Sequence, residues 1–242
     1  MRSAARVREK HEGPPAIDHK TVDRYRGLAG SYDERWRRYN ERTLTEALAG
    51  VPLSGAKRIL DVGCGTGELE RLALARVRSP HIVGVDICPA MVAMARRKLA
   101  SAPSVRFEIA EAEALPFERD RFDVVVCASM VHHTHRPDRV FRECVSVLRP
   151  GGRFVLVDWC LDFRRNRLRH RWLRATDPTY AGMLRVDEAQ HLLEADGVVL
   201  ARIRRFIAPP AYGMMSLTGV KGSNPKSRET PPFLRSLPTL RR

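Results

Sequence analysis

Long hydrophobic runs are missing from this chain. No apolar stretch approaches the roughly 20 residues that a helix needs to cross a bilayer, although 43% of the 242 residues are hydrophobic. The first ten residues are basic but contain no apolar segment, so we expect no secretory signal. A hydrophobic fraction of this size can bury a full core, which indicates a globular domain of enzyme size.

Cysteine is scarce and scattered. The five cysteines, at positions 64, 88, 127, 144 and 160, form neither a Cys-x-x-Cys motif nor a paired framework. This spacing predicts no metal site and no disulfide framework, and it favours a reducing compartment such as the cytoplasm. Cys64, Cys127 and Cys144 fall in apolar or motif positions, where we expect small buried thiols.

Acidic residues are outnumbered by basic ones. The chain has 43 Lys and Arg against 28 Asp and Glu, a formal net charge of +15. Six arginines fall within residues 163–174, where Leu168, Trp172 and Leu173 make an apolar strip. This segment predicts a basic helix with three possible roles: a solvated helix packed on the core, a surface for anionic membranes or acidic substrates, or a surface for RNA.

Apolar segments of strand length alternate with helical patterns along the chain. Pro89 and Pro137 mark first helical turns, Asp187 to Gln190 is a candidate capping box, and Pro150 to Gly152 is expected to separate a helix from the next strand. The alternation predicts an α/β fold with a mostly parallel sheet and helices on both faces. We predict strands over residues 57–62, 81–87, 105–110, 122–128, 153–159, 198–207 and 213–220.

A glycine-rich turn follows the first predicted strand. Gly63, Gly65 and Gly67 come directly after residues 57–62, and a helical pattern begins at Glu68. Glycine lets a backbone pass close under a ligand because it has no Cβ. The start of a helix also leaves N–H groups that can face the ligand. The turn therefore predicts a site for a nucleoside cofactor.

Two acids indicate which cofactor fits this turn. Asp61 precedes the first glycine by two residues, and a carboxylate there would repel the pyrophosphate of a dinucleotide. The same carboxylate can help to hold the cationic methionyl end of S-adenosylmethionine. Asp86 ends the next predicted strand, 21 residues past Gly65, where such folds place an acceptor for ribose hydroxyls. The pattern favours S-adenosylmethionine.

Six short motifs follow one another between residues 60 and 152. They are Leu60-Asp-Val-Gly-Cys-Gly-Thr-Gly67, Gly84-Val-Asp86, Ala110-Glu-Ala-Glu-Ala-Leu-Pro-Phe117, Phe122-Asp-Val-Val-Val126, Val131-His-His133 and Leu148-Arg-Pro-Gly-Gly152. The region from about residue 55 to 160 resembles the class I S-adenosylmethionine-dependent methyltransferases, particularly the type 11 group related to the ubiquinone and menaquinone biosynthesis methyltransferases. The resemblance implies a Rossmann-like, seven-stranded, mostly parallel sheet with helices on both faces and an antiparallel last strand.

The same resemblance divides the chain into regions. Residues 1–20 and 221–242 lack apolar periodicity and are rich in proline and charge, so we expect two mobile tails. The implied methyltransferase domain covers residues 21–220, with cover helices at 21–50, the cofactor-binding core at 55–160 and a variable acceptor-side insert at 161–186.

Cofactor contacts are implied residue by residue. By this resemblance, Asp61 and the backbone of Gly63 and Gly65 hold the methionyl end, while Asp86 accepts hydrogen bonds from both ribose hydroxyls. The other implied cofactor-binding positions are Cys64 and Gly67 in the turn, Ile87 against the adenine ring, Glu111 and Ala112 near the adenine amino group, and Ala128 and Ser129 near the methionyl amine.

Catalytic candidates come from two further segments of the resemblance. His132 and His133 follow the fourth strand, where the methyl group should point, and a histidine can remove a proton because its pKa lies near neutrality. The alternative is that one of these rings only orients the loop. Tyr32 lies in a segment similar to the N-terminal cover of the quinone-methyltransferase relatives, where a tyrosine closes over the cofactor or acceptor. Ordinary packing is the alternative for Tyr32.

These features together predict an S-adenosylmethionine-dependent methyltransferase. We expect its acceptor to be a small, hydrophobic or aromatic metabolite that is methylated at oxygen or carbon. Two alternatives stay open. One is an RNA methyltransferase that uses the basic 163–174 helix, and the other is a non-catalytic regulatory protein that binds S-adenosylmethionine.

Overall fold

A computed structural model describes residues 19–51, 58–76 and 80–223. The helices are α1 (His19–Leu28), α2 (Tyr32–Ala49), α3 (Glu68–Leu74), α4 (Pro89–Lys98), α5 (Pro137–Val147), α6 (Arg164–Thr176) and α7 (Val186–Ala195). The strands are β1 (Arg58–Val62), β2 (His81–Asp86), β3 (Val105–Ile109), β4 (Phe122–Ala128), β5 (Leu148–Trp159), β6 (Val198–Ala208) and β7 (Tyr212–Lys221), and a short 3₁₀ turn covers Val131–His133.

The seven strands form one sheet in the order β3-β2-β1-β4-β5-β7-β6. Six strands run in the same direction, and β7 runs antiparallel to both of its neighbours. The predicted seven-stranded, mostly parallel sheet with an antiparallel last strand is therefore confirmed. The strand order reverses between β1 and β4, and in open α/β sheets such a reversal leaves a crevice at the carboxyl ends of the strands.

The central strands are buried on both faces. Ile59 of β1 and Val126 of β4 pack in a cluster with the buried residues of α2 and α3, while Leu60 and Val125 face a second cluster that includes α5 and α7. This explains why β4 is an almost continuous apolar run, as expected of a parallel strand covered by helices on both sides. The sheet holds the carboxyl ends of β1, β2 and β4 in fixed positions.

Cysteine burial agrees with the sequence. Cys64, Cys127 and Cys144 are buried free thiols, and Cys88 and Cys160 are buried as well. Burial raises the pKa of the Cys144 thiol. These side chains act as small apolar core residues.

Strand β5 begins earlier than predicted. Residues 153–159 were expected, but the strand starts at Leu148, which pairs with Phe122 of β4. The register then shifts, because the next pair joins Val124 to Arg153, and Gly151 takes a φ of 73°. The Pro-Gly-Gly segment is therefore an irregular part of the strand. It does not form a separate loop.

Two other boundaries differ from the prediction. Helix α7 begins at Val186, and the N–H of Arg185 donates a hydrogen bond to Glu188 Oε2 at 2.7 Å. The N-cap residue is Arg185, and the carboxylate that completes the capping box is that of Glu188. The capping box predicted from Asp187 to Gln190 was therefore wrong. Residues 19 and 20 of the predicted N-terminal tail belong to α1, and residue 221 of the predicted C-terminal tail belongs to β7. Residues 222 and 223 are also described, and the rest of both predicted tails lies outside the described residues.

A buried carboxylate ties helix α2 to the edge strand β6. Glu46 is 3% exposed, and its two oxygens contact Arg202 Nη2 at 3.0 Å and Arg204 Nη1 at 2.9 Å. Arg42 lies 3.7 Å from the same carboxylate. The arginine side chains keep access to water, so they can hold a buried anion without being fully desolvated themselves.

Replacing Glu46 with alanine is expected to destabilise the protein. The substitution Glu46→Ala leaves three arginines without their shared carboxylate, and we expect a loss of about 1–2 kcal/mol because the guanidinium groups remain hydrated. In a thermal melt this corresponds to a fall of about 2–8 °C in Tm. Glu41→Ala, at an exposed position of the same helix, is the control. Equal melting temperatures for the two variants would contradict the role of Glu46.

Candidate cofactor and active site

A cavity of about 450 Å³ lies at the carboxyl ends of β1, β2 and β4. It is closed on another side by residues of α1 and α2. Nine of the residues predicted for the site line this cavity: Tyr32, Gly63, Gly65, Asp86, Ile87, Glu111, Ala112, Ser129 and His133. Five others do not line it, namely Asp61, Cys64, Gly67, Ala128 and His132. The structure therefore brings most of the predicted residues to a single space.

The glycine turn has the backbone conformation that the sequence requires. Gly63, Gly65 and Gly67 have φ values of 80°, 54° and 83°, which side chains with a Cβ rarely adopt. A Cβ on Gly63 would lie 2.7 Å from Met130 Cβ, whereas a Cβ on Gly65 would meet no heavy atom within 4 Å. Gly65 thus exposes bare backbone to open space in the cavity, as a cradle for a ligand requires.

Asp86 is fixed against this turn. Its Oδ2 accepts a hydrogen bond from the Gly65 N–H at 2.9 Å, and its Oδ1 accepts one from the Cys88 N–H at 2.8 Å. Burial raises the pKa of the Asp86 carboxyl, and these two N–H donors oppose that rise. Each oxygen has a further lone pair, so the carboxylate can accept from two neighbouring hydroxyl groups.

Asp61 lies beneath the turn and pairs with an acid that the sequence analysis did not single out. Asp61 and Glu70 of α3 are both buried, and they interact with each other. Burial raises the pKa of Asp61 to about 7, with a further contribution from Asp86, while the neighbouring Glu70 opposes the rise. Burial and Asp61 raise the pKa of Glu70 well above its usual range. Glu70 is therefore protonated at neutral pH.

His133 faces the cavity with a defined tautomer. Its Nδ1 lies 2.9 Å from the carbonyl oxygen of Thr179, which can only accept, so Nδ1 carries the proton. Its Nε2 is then an acceptor and lies 2.7 Å from the hydroxyl oxygen of Tyr25. Burial lowers the pKa of His133 to about 3. The ring is therefore neutral at pH 7, and its pKa is lower than the near-neutral value that the sequence analysis expected of a histidine base. Tyr25 donates to it.

His132 occupies a different position from its neighbour. Its ring is buried, its Nδ1 lies 2.6 Å from Asp158 Oδ1, and it stacks on Trp159 with ring centroids 4.0 Å apart. Asp158 Oδ2 also accepts a hydrogen bond from the Val131 N–H at 2.7 Å. His132 and Asp158 therefore hold the 3₁₀ turn that presents His133, and the His132 ring does not line the cavity.

The tyrosines of the N-terminal helices divide into two groups. Tyr32 lines the cavity beside Tyr25, with ring centroids 6.1 Å apart, and burial raises its pKa, so its hydroxyl stays protonated. Tyr39 lies behind the wall, where its hydroxyl contacts Ser129 Oγ at 2.8 Å and accepts from Trp159 Nε1 at 2.9 Å. Tyr39 supports Ser129, whose φ of 56° is unusual for a residue with a side chain.

Several cavity residues were not predicted to have a role. Tyr25 is the most important of them, and the available signal was its place seven residues before Tyr32, in the same short segment of the N-terminal cover. The other such residues include Thr21, Met91, Met130, Thr134, Arg136 and Arg139. Met214 and Met215, which enter β7, are fully buried in the core.

Comparisons with known proteins agree with this geometry. A family model described as a methyltransferase domain matches residues 60–156. The demethylmenaquinone methyltransferase of Thermus thermophilus is 39% identical over 133 residues, which are 54% of this chain and 57% of that protein. The 27-O-demethylrifamycin SV methyltransferase of Amycolatopsis mediterranei is 38% identical over 140 residues, or 54% and 50% of the two chains. The chain thus spans about half the length of these two relatives.

A third relative matches over a longer range. The uncharacterized methyltransferase YcgJ of Bacillus subtilis is 31% identical over 183 residues, which cover 71% of this chain and 68% of YcgJ. The crystal structure of YcgJ superposes with a TM-score of 0.66 and 20% identity, covering 76% of this chain and all of YcgJ, which shows a shared fold. The chain belongs to the class I S-adenosylmethionine-dependent methyltransferases, and its cofactor is S-adenosylmethionine.

The residues present fit this cofactor. The open backbone at Gly65 leaves room for the ligand, Asp86 offers two acceptor oxygens for a ribose diol, and Asp61 Oδ1 is buried without a hydrogen-bond partner among the described residues. A cationic methionyl group above the turn would therefore find a compensating carboxylate below it.

Among the described helices, none is long and apolar enough to span a membrane.

Replacing Asp86 with asparagine is expected to weaken cofactor binding by about 10- to 100-fold. The reason is that Asp86→Asn replaces a charged hydrogen-bond acceptor with a neutral amide, and hydrogen bonds to charged groups contribute about 1.5–3 kcal/mol. Isothermal titration calorimetry with S-adenosylhomocysteine measures the change. Glu118→Gln, at an exposed position away from the cavity, is the control. An affinity for Asp86→Asn equal to that of the control would refute the assignment of Asp86.

Cofactor binding is expected to release protons near neutral pH. Since the raised pKa of Asp61 is about 7, part of the protein carries a protonated Asp61 at that pH, and a bound cation favours the carboxylate. Affinity for S-adenosylmethionine should therefore increase as pH rises through about 7 and level off above it. Calorimetry in buffers with different ionisation enthalpies counts the released protons.

Two variants test the origin of those protons. Asp61→Asn removes the carboxyl group that loses the proton, so the proton release should be lost. Glu68→Gln is the matched control, because Arg71 and Lys98 keep the pKa of Glu68 below its usual value and it is ionised in both states. Equal proton release in the wild type and Asp61→Asn would count against Asp61 as the source.

Proposed function

We propose that this methyltransferase transfers the methyl group of S-adenosylmethionine to a small, hydrophobic or aromatic metabolite at an oxygen or carbon atom. The observation that carries this proposal is the composition of the cavity. The glycine turn and Asp86 lie at the same space as Tyr25, Tyr32 and His133. A cofactor and a flat, apolar acceptor could therefore meet there while the surrounding side chains exclude water.

The lining of the cavity supports an apolar acceptor. Tyr25, Tyr32 and Met130 offer aromatic and thioether surface, which suits a ring or a lipid-like chain. Two relatives act, by their names, on demethylmenaquinone and on 27-O-demethylrifamycin SV. These acceptors support a hydrophobic or aromatic substrate for this chain, and they leave both oxygen and carbon as possible methylation sites.

The protein contributes alignment and proton handling. When bound, S-adenosylmethionine supplies a methyl group that is already activated by the positive sulfonium. The turn and Asp86 fix the position of the donor, and Tyr25, Tyr32 and Met130 orient the acceptor and keep water away. Such positioning can supply a large part of the rate acceleration in a transfer between two bound molecules.

Tyr25 and His133 together give a route for the proton that the acceptor loses. Because the Tyr25 hydroxyl donates to His133 Nε2, the lone pairs of the Tyr25 oxygen are free to accept from an acceptor hydroxyl or an acidic C–H. During transfer, the Tyr25 oxygen would take the acceptor proton and Tyr25 would pass its own proton to His133 Nε2. The imidazole would then carry one positive charge, which equals the charge that the bound methyl donor brings to the site, so the net charge would not change.

His132 has a supporting role in this proposal. Its contact with Asp158 and its stacking on Trp159 hold the 3₁₀ turn, so that the neighbouring His133 points into the cavity. The direct contact with the acceptor then falls to Tyr25 and His133 rather than to His132. Tyr32, whose hydroxyl stays protonated, closes the cavity beside them.

The acceptor can be identified with labelled cofactor. The purified protein is incubated with S-adenosylmethionine that carries an isotopically labelled methyl group and with a cell extract separated into RNA, protein, lipid and metabolite fractions. We expect label in one lipid or metabolite product, and much less of it with Asp86→Asn when the cofactor concentration is near the Kd of the wild type. Label in the RNA fraction would instead indicate an RNA methyltransferase. Cofactor binding with no labelled product in any fraction would indicate a regulatory protein.

Loss of the Tyr25 and His133 pair is expected to slow methyl transfer without weakening cofactor binding. Loss of a positioned proton acceptor typically costs about 10²- to 10⁴-fold, so His133→Ala should reduce kcat in that range, and Tyr25→Phe should reduce it by about 10- to 100-fold. Cofactor affinity should change by less than about threefold in Tyr25→Phe, because Tyr25 touches the acceptor in this proposal. Single-turnover assays with the identified acceptor measure the effect.

A matched control and a pH profile complete this test. Tyr180→Phe also removes a hydroxyl that contacts a histidine ring, since the Tyr180 hydroxyl lies 2.7 Å from His170 Nδ1. Tyr180 does not line the cavity, so the kcat of this variant should stay near that of the wild type.

The pH profile tests the state of His133. Because the His133 pKa is about 3, titration of this group should cause no loss of rate near pH 6.5. A His133-dependent inflection at pH 6.5 would contradict the buried, neutral ring.

A further inference from the structure

Helix α6 presents a large apolar surface to solvent. Leu168 is 70% exposed and Trp172 is 63% exposed. They are four residues apart, so they lie about 40° apart around the helix axis and form one ridge. Large apolar side chains that are exposed next to each other often mark a contact surface.

The opposite face of α6 is fastened to the protein. Asn166 Nδ2 donates to the carbonyl oxygens of Cys160 at 2.8 Å and of Gly213 at 2.7 Å. Leu173 is buried with Tyr180 and Met183. These contacts fix the rotation of the helix, so the ridge of Leu168 and Trp172 cannot turn into the core.

Arginines surround this ridge. Arg164, Arg165 and Arg171 are exposed and lie within about 100° of Leu168 around the helix, and Arg167 and Arg174 extend the charge along one side. Helix α6 contains no acidic residue. Within residues 19–51, 58–76 and 80–223, none of these five arginines forms an ion pair with a carboxylate. The basic residues of β6 differ, because Arg202, Arg204 and Arg205 are paired with Glu46 or Asp162.

We propose that α6 docks the protein on an anionic lipid surface, with Leu168 and Trp172 inserted among the lipids and the arginines bound to phosphate headgroups. A helix that lies in a membrane interface has this combination of an apolar ridge and flanking basic residues. Trp is well suited to that position because its ring is apolar and its N–H is polar. The five arginines, which have no carboxylate partner in the part of the chain that the structure describes, supply charge complementarity to such a surface.

The apolar ridge distinguishes this surface from one for nucleic acid. Phosphate binding by RNA needs the arginines but not Leu168, which would remain in water in such a complex. On a bilayer, both Leu168 and Trp172 lose their contact with water. The proposal concerns α6 alone and does not depend on the identity of the methyl acceptor.

Vesicle flotation tests the proposal with the full chain. Vesicles of pure phosphatidylcholine are compared with vesicles in which about one third of the lipid is phosphatidylglycerol. We expect binding to the anionic vesicles only, and weaker binding when salt rises from about 0.1 M to about 1 M, since screening becomes much stronger. Tryptophan fluorescence should shift to shorter wavelength on binding, and Trp172→Phe should remove most of that shift.

Two variants separate the apolar and the electrostatic contributions. Leu168→Ser with Trp172→Ser should reduce vesicle affinity by at least about tenfold, because burying two such side chains contributes more than 1.4 kcal/mol. Arg164→Gln with Arg165→Gln and Arg171→Gln should reduce it by about 100-fold. The matched control removes the same charge at exposed positions elsewhere, with Arg97→Gln, Arg106→Gln and Arg119→Gln, and should bind nearly as well as the wild type. Thermal melts confirm that every variant is folded.

The outcomes that would overturn the proposal are distinct. Absence of binding to anionic vesicles would overturn the proposal. A loss of affinity in the charge control equal to that of the α6 arginine variant would also overturn it, because net charge alone would then drive association. Full binding by Leu168→Ser with Trp172→Ser would exclude insertion of the ridge. Tight binding of single-stranded RNA that requires the α6 arginines, with no vesicle binding, would assign the surface to nucleic acid instead.

Discussion

The cofactor end of the site depends on how the Gly63–Gly67 turn is fastened to strand β2. The N–H groups of Gly63 and Cys64 both donate to the carbonyl oxygen of Val85, at 2.8 and 2.9 Å, and the Gly65 N–H donates to Asp86. The turn therefore continues the hydrogen bonding of the parallel β1 and β2 pair beyond the end of the sheet. It also places bare backbone and the Asp86 carboxylate side by side, and the glycine φ values make this geometry possible without strain.

Much of this arrangement could be predicted from the sequence because it is local. The apolar strands, the three glycines and the acid 21 residues past Gly65 each determine the conformation of a few neighbouring residues, and the parallel sheet then brings the strand ends together. The start of β5 was missed because a Pro-Gly-Gly segment normally ends regular structure. Here Leu148 is held in the sheet by pairing with Phe122, and the extra residues are accommodated by an irregular register.

The parts that could not be predicted are contacts between distant residues that carry no motif. Tyr25 and His133 are 108 positions apart, and only the packing of α1 over the sheet edge brings them to 2.7 Å. The two adjacent histidines were equivalent in sequence, but the 3₁₀ turn sends His132 towards Asp158 and His133 towards the cavity. Glu70 follows the glycine turn without belonging to a motif that predicts its burial, and in the fold it is fully buried beside Asp61.

Helix α1 joins two parts of the site that are far apart in sequence. Its Arg24 pairs with Asp177 at 2.7 Å, just after α6, and the next residue, Tyr25, bonds His133. A displacement of α1 that admits a ligand or lets a product leave would separate both contacts together, and His133 Nε2 would then meet water in place of the phenol. In the proposed route, the path for the proton is therefore complete only while this ten-residue helix lies against the site and Tyr25 contacts His133.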